Sequence, residues 1–288
     1  MNYKRNMGVN LKKKMNKKVL ILGRGFIGER LQKGLNCLID GSMIRTFSDA
    51  EKLIKKYNSR IIINCIGITG KRNVDDCELE KDTTLLANSF VPVILAEVAL
   101  RNNIKLVHIS SGCIFNFDFK KDLPIKEESS DYFLKLFYSR SKIYSERALE
   151  VLAKDHNILI ARIRIPLLNV PHPKNVLDKL IEYKQVIDLP NSVTYIPDFV
   201  RALKYLIKIN ARGTFNVVNK GGLRYADLMR VYQKYVPSFK FKVIPFKKLG
   251  LVRTNLILST AKLERSGFKV RNINSVLDEC VKTYRQCT

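Results

Sequence analysis

Tyr138-Ser-Arg-Ser-Lys142 sets a phenol and an ammonium four residues apart, and on a helix that spacing stacks them one turn apart on a single face. A phenol ordinarily titrates at about 10, and a neighbouring cation draws that value down toward working pH. The pair therefore suits a group that gives a proton to a carbonyl oxygen while a hydride reaches the carbon. Such a reduction also needs a hydrogen bond that holds the oxygen. Ser111, in Ser110-Ser-Gly-Cys-Ile-Phe115 after an apolar run, is placed to provide it. Tyr and Lys also fall at this spacing in ordinary amphipathic helices, and loop serines commonly cap backbone. What surrounds them decides between these readings.

Lys18-Val-Leu-Ile-Leu22 reads as a buried strand that runs into Gly23-Arg-Gly-Phe-Ile-Gly28 and then a helical stretch over 29–35. Strand, glycine turn and helix form the setting in which this spacing binds a dinucleotide. Gly23 permits the tight turn, Gly25 the approach of a pyrophosphate to backbone N–H groups, and Gly28 close packing of helix on sheet. Arg24, Phe26 and Ile27 fill the same turn and belong with it to the expected cofactor site. Further apolar, β-branched runs at 60–65, 105–110 and 158–163 alternate with helical patterns at 79–102 and 132–154. That rhythm predicts an α/β fold, a Rossmann-like doubly wound parallel sheet buried on both faces. The loops after those runs, Asn64-Cys-Ile-Gly-Ile-Thr-Gly70, 110–115 and Arg164-Ile-Pro166, stand where such sheets bind ligands.

From Pro166 the texture becomes proline-spaced and irregular. The expected organisation is a basic disordered tail at 1–16, a Rossmann domain at 17–165 and a smaller substrate-binding region at 166–288. Within the last, 198–219 reads as a helix and strand returning to the first domain.

The chain has 288 residues, 46% hydrophobic and 27% charged, enough to bury one large core or two unequal domains. No apolar run approaches the roughly 18 residues a membrane span needs, and the basic head lacks the apolar segment of a secretory signal. A cytoplasmic location with no membrane partner is expected. Six cysteines show neither CxxC nor zinc-type spacing, so reduced thiols and no metal site are expected. The formal charge of +26 raises a nucleic-acid partner. Basic residues are, however, spread along the chain rather than gathered with aromatics on one element, so no specific nucleic acid is expected. The same field favours an anionic diphosphate ligand.

The glycine turn, Ser111 and Tyr138-x-x-x-Lys142 recur in order with Gly67-Ile-Thr-Gly-Lys-Arg-Asn-Val-Asp-Asp-Cys-Glu78, Arg162-Ile-Arg-Ile-Pro166, Pro190-Asn-Ser-Val-Thr194 and Gly213-Thr-Phe-Asn216. Together they resemble an extended short-chain dehydrogenase/reductase. More narrowly they are similar to the dTDP-4-dehydrorhamnose reductase-like branch and its bifunctional UDP-4-keto-6-deoxyglucose 3,5-epimerase/4-reductases. The resemblance implies that Ser111, Tyr138 and Lys142 form the reductase set, with Tyr138 and Lys142 also against the cofactor. It places Cys65 and Gly67 at the cofactor and Thr69, Asn175, Arg253 and Asn255 at a nucleotide-sugar substrate. It also implies a second chemistry, in which Cys113 and Lys179 exchange protons at C3 and C5 of the 4-keto sugar. The expected function is NADPH-dependent reduction of a nucleotide-linked 4-keto-6-deoxyhexose, with 3,5-epimerisation in the same site and a homodimer both admitted.

Two departures bear on the cofactor. The glycine turn is one residue shorter than the GxxGxxG of the close relatives, and the segment between Leu35 and Arg60 shows no clear acid to take the ribose hydroxyls. Arg24 and Arg45 are candidates for a 2′-phosphate, which favours NADPH, with NADH possible. An NAD-retaining sugar-nucleotide epimerase and a non-catalytic binding subunit are the alternatives. A 4,6-dehydratase would carry an Asp-Glu pair where Gly112 and Cys113 stand. His108 reads as a core histidine, His172 as a loop residue, Asn88 equally as a brace or a helix-surface amide, and Arg162 and Arg164 as weaker phosphate candidates.

Overall fold

A computed structural model describes residues 16–71 and 73–288, so residues 1–15 of the expected tail lie outside the described residues. Asn16 already belongs to the first strand. The chain begins β1 (Asn16–Leu22), α1 (Phe26–Leu35), β2 (Cys37–Asp40), α2 (Phe47–Tyr57), β3 (Ile61–Asn64). It continues α3 (Lys81–Leu85), α4 (Val91–Arg101), β4 (Lys105–Ser111), α5 (Phe137–Leu152), β5 (Ile158–Ile163). Next come β6 (Pro166–Leu167), α6 (Val176–Tyr183), β7 (Gln185–Ile187), β8 (Thr194–Tyr195), α7 (Ile196–Lys208), β9 (Gly213–Asn216). Last are α8 (Tyr225–Tyr235), β10 (Lys242–Ile244), α9 (Ala261–Arg265) and α10 (Leu277–Gln286).

Six strands form one parallel sheet in the order β2-β1-β3-β4-β5-β9. Successive residues of β1 bury opposite faces. Ile21 joins Val107, Ile109, Phe199 and Leu203 on the side of α1 and α7. Leu20 and Leu22 join Leu95, Leu106, Leu149 and Ile160 on the side of α2, α4 and α5. Each fully buried leucine contributes roughly 1.5–3 kcal/mol. A separate cluster gathers Leu177, Leu228, Met229 and Val281 of α6, α8 and α10.

Four details differ from the sequence expectation. β2 was not anticipated, because its four residues are too short and mixed to show a period. It ends on Asp40, which corrects the expectation that no acid closes a second strand. The helix expected from 132 begins at Phe137, because Tyr132 instead bridges Phe115 and the Phe133 N–H donates to the Ile114 carbonyl. The helix expected over 79–102 contains a π turn at Leu86–Phe90 between α3 and α4. Finally, the helical run Lys81–Arg101 has a mean hydropathy of 1.6 and is long and apolar enough to cross a membrane by length and composition, contrary to expectation. Just over half of it is buried inside the protein, where α4 packs on α2 and α5.

Candidate active site

The glycine turn links β1 to α1 at the carboxyl ends of the strands. Gly23 has φ of 103°, and a Cβ there would stand 2.8 Å from the Cys65 carbonyl carbon. A Cβ on Gly28 would meet the Gly23 carbonyl oxygen at 2.0 Å, whereas nothing lies within 4 Å of one on Gly25. Two glycines thus pack the turn against β3 while the third keeps its outer side open, with the N–H groups of α1 beyond it. That cradle fits the pyrophosphate of a dinucleotide. Cys65 lies beneath the turn, its thiol pushed up by burial. Ile27 and Phe26 pack on the core, and Phe26 stacks on His172 with ring centroids 4.3 Å apart.

Arg24 and Arg45 are exposed, and Arg24 Nη2 donates to the Ile39 carbonyl of β2 at 3.4 Å. The Asp40 carboxylate accepts from the Ser42 N–H and the Tyr57 hydroxyl, both at 2.7 Å, with Lys56 at 3.8 Å. The acid at the strand end is therefore engaged inside the fold, while Arg24, Arg45 and Lys56 are exposed.

Ser111 ends β4, and Tyr138 and Lys142 lie one turn apart on α5, all three buried. The start of α5 is held by Glu78, whose carboxylate accepts from the Phe137 N–H at 2.5 Å, an acid where the helix dipole favours one. Ser111 lies near the Tyr138 phenol and accepts from the Cys113 N–H at 3.1 Å. Burial raises the phenol above its ordinary value, with the Ser111 hydroxyl and the Arg164 charge acting the other way. This corrects the expectation that Lys142 draws it down: dehydration of a phenolate outweighs the nearby cations. A protonated phenol is nonetheless what a proton donor requires. Burial also lowers Lys142 to about 8, against the opposing charge of Glu146.

Lys142 reaches the open face beside Gly67, where a Cβ would stand 3.1 Å from its Nζ and 3.2 Å from Asn88 Oδ1. Asn88 sits in the π turn, fully buried. It accepts from the Ile68 N–H at 2.8 Å and donates to the Ile68 carbonyl at 3.0 Å and to Ser141 Oγ at 3.1 Å. Asn88 is thus a brace between the β3 loop and α5, and the π turn is the local irregularity that aims it. His108 is a buried, neutral core histidine 3.1 Å from Asn64.

The neighbouring ends of β4 and β5 bring Cys113 against Arg164, whose Nη1 donates to the sulfur. Arg164 also donates through Nε and Nη2 to Asn191 Oδ1, both at 3.1 Å, and to the Thr254 carbonyl. Asn191 Nδ2 in turn donates to Asn255 Oδ1 at 2.9 Å. Arg164 was expected as a phosphate candidate; the structure shows it turned inward on the thiol. Arg162 is fully buried and paired with Glu146 at 2.5 Å and Glu150 at 3.1 Å, which removes it from the phosphate candidates.

The substrate positions divide. Thr69 is exposed in the loop after β3. Arg253 is bidentate to Asp75 at 2.6 and 2.7 Å, so the C-terminal segment is pinned to the same loop. Lys179 is half-buried on α6, and the cation that touches Cys113 is Arg164 instead. Asn175 is corrected: it is fully buried at the start of α6, and its amide donates to Leu168 O at 3.2 Å and Asp178 at 2.8 Å while accepting from Leu168 N at 2.9 Å. Its hydrogen-bonding capacity is spent on the helix cap and the chain after β6.

A parallel Rossmann sheet with a glycine cradle and a Ser, Tyr and Lys cluster at its carboxyl edge defines an extended short-chain dehydrogenase/reductase. The chain belongs to the RmlD substrate binding domain family, whose profile matches residues 19–237. A bifunctional dTDP-4-dehydrorhamnose 3,5-epimerase/dTDP-4-dehydrorhamnose reductase of Arabidopsis thaliana is 30% identical over 213 residues, 70% of each chain. A trifunctional UDP-glucose 4,6-dehydratase/UDP-4-keto-6-deoxy-D-glucose 3,5-epimerase/UDP-4-keto-L-rhamnose-reductase of the same plant is 28% identical over 86% of this chain. The chain spans only 39% of that relative's length. The fold matches a UDP-rhamnose synthase from Acanthamoeba polyphaga mimivirus with a TM-score of 0.83 at 23% identity, covering 92% of this chain and 99% of that one. It also matches a Bacillus anthracis dTDP-4-dehydrorhamnose reductase in complex with NADP, with a TM-score of 0.80 at 21% identity over 95% of this chain and 100% of that one.

Proposed function

We propose that this chain reduces the 4-keto group of a nucleotide-linked 4-keto-6-deoxyhexose with NADPH, NADH being the second cofactor admitted, and epimerises C3 and C5 in the same site. The observation that carries the reading is the burial of Ser111 at the end of β4 with Tyr138 and Lys142 on α5, Lys142 lying against Gly67 in the loop after β3. The named activities of the relatives support the substrate class. Gly23, Gly25 and Gly28 would hold the cofactor's pyrophosphate, with Lys142, beside Gly67, at its ribose; the cofactor supplies the hydride.

The chain's own residues do the rest. Ser111 holds the carbonyl oxygen, and Tyr138 gives its proton to that oxygen as negative charge develops there. Lys142 places a positive charge behind the phenol. Cys113, in the loop that carries Ser111, faces the carbons on either side of the ketone, whose C–H bonds the same oxygen contacts acidify. A homodimer is proposed as the assembly, supported by exposed Tyr144 and Val151 on one face of α5, and light scattering on the purified protein checks it.

The test is NADPH oxidation on UDP- and dTDP-4-keto-6-deoxyglucose in deuterated water, followed by NMR of the product. Deuterium at C3 and C5 with NADPH consumed is the expected result. Reduction without label removes the epimerase half, and cofactor retained through purification without net oxidation turns the assignment to an NAD-retaining epimerase.

A further inference from the structure

Arg164 is 3% exposed, and among the described residues no carboxylate pairs with it. The other buried arginine, Arg162, follows the usual pattern and has Glu146 and Glu150. A guanidinium removed from water without a counter-ion is costly. The ionisable groups that face it are the Cys113 thiol and the phenols of Tyr138 and Tyr225, both of which burial pushes up.

The fold also goes to some length to hold it there. Ile165, the next residue, has φ of 29°, a left-handed conformation that a β-branched side chain resists. Thr194 fixes that corner, its N–H donating to the Arg164 carbonyl at 2.7 Å and its hydroxyl accepting from the Arg164 N–H at 2.9 Å. Gly112 packs against Leu258, which a Cβ there would meet at 2.6 Å, and the arginine stem lies alongside at contact distance, 3.5 Å from that Cβ position. Asn191 and the Thr254 carbonyl take the remaining donors on the far side, which turns Nη1 toward sulfur.

We propose that Arg164 is the built-in cation of a thiolate–guanidinium pair with Cys113, the positioning residue that makes this cysteine a base. The proposal rests on the epimerase half of the function above. In the step it serves, Cys113 has released its thiol proton to solvent. The thiolate then takes the proton from C3 or C5, so that an S–H bond forms and a C–H bond breaks. The C–H electron pair moves into an enolate whose oxygen Ser111 and Tyr138 hold. Solvent water gives a proton to the opposite face of the carbon, the enolate electron pair forming the new C–H bond, and the S–H proton passes to the hydroxide so formed, which regenerates the thiolate.

The experiment measures iodoacetamide labelling of Cys113 at pH 7 by peptide mass spectrometry, with NADPH binding as the test of fold. Arg164→Gln is expected to slow labelling by about tenfold or more, with Arg164→Lys in between. Asn191→Asp, which hands the guanidinium a carboxylate, is expected to slow it as well and serves if Arg164→Gln does not bind NADPH. Labelling at the wild-type rate in a variant that binds NADPH overturns the pair. Substrate C3 and C5 exchange in deuterated water is measured alongside, and Arg164→Gln is expected to add nothing to the loss caused by Cys113→Ala. If Cys113→Ala exchanges as fast as wild type, the epimerase reading fails while the labelling still judges the pair.

Discussion

The Asn88 amide donates to the Ser141 hydroxyl across 3.1 Å, and that hydroxyl donates to the Tyr138 carbonyl at 2.8 Å. The β3 loop is thereby tied to α5 between the proposed acid and its lysine. Asn88→Ala leaves the Ile68 N–H unpaired and its carbonyl with only the Cys77 thiol, a cost of about 1–3 kcal/mol. The expected result is a lower melting temperature together with weaker NADPH binding, read by thermal denaturation and fluorescence titration.

Burial holds Lys142 down to about 8. Its charge is lost as pH rises through that value, so kcat/KM should fall above about pH 8, by about tenfold per unit. Stability moves oppositely. Between about 8 and the ordinary lysine value of 10.5 the unfolded chain binds the extra proton, so the contribution of Lys142 to stability rises with pH across that window. A pH–rate profile run beside denaturant melts separates titration of the site from unfolding.

Tyr138→Phe removes the only proton the proposed reduction draws from the phenol. Turnover of NADPH should fall on the order of 10²–10⁴-fold, while substrate exchange at C3 and C5 slows less, because Ser111 still holds the enolate oxygen. Equal loss of both would mean that Tyr138 serves the shape of the pocket rather than proton transfer.

Arg253 and Asp75 form a bidentate pair, 23% and 43% exposed, between the C-terminal segment and the loop after β3. A substrate diphosphate would compete with Asp75 for the same planar fork. Asp75→Asn should therefore lower KM for the sugar nucleotide and Arg253→Ala should raise it. A rise in both variants would show that the pair matters as a loop tether.

Arg162 lies between Glu146 and Glu150 with its guanidinium 4.9 Å from the Phe115 ring centroid. Arg162→Met leaves two carboxylates facing each other inside α5, and a loss of about 3–5 kcal/mol is expected in equilibrium unfolding.

The glycine turn, the Tyr138 to Lys142 spacing and the β-branched runs were legible in the chain because each is a local pattern. A strand buried on both faces must be apolar throughout, a turn under a phosphate must lack side chains, and a helix repeats its face every turn. β2 escaped because four residues carry no period, although Asp40 followed by Gly41 was a usable hint. Asn88 was visible but undecidable, since only the π turn shows which way its amide points.

Sequence alone thus determined the sheet, the glycine turn and the helical spacing of Tyr138 and Lys142. Tertiary structure decided where the long-range charges went. Arg162, Arg164 and Arg253 look alike in the chain, yet one is buried among acids, one turns inward to Cys113 and one clasps Asp75. No local pattern encodes those choices, because the fate of a buried charge depends on whichever partner the fold brings within hydrogen-bond reach. For Arg162, Arg164 and Arg253 those partners lie as far as 178 positions away.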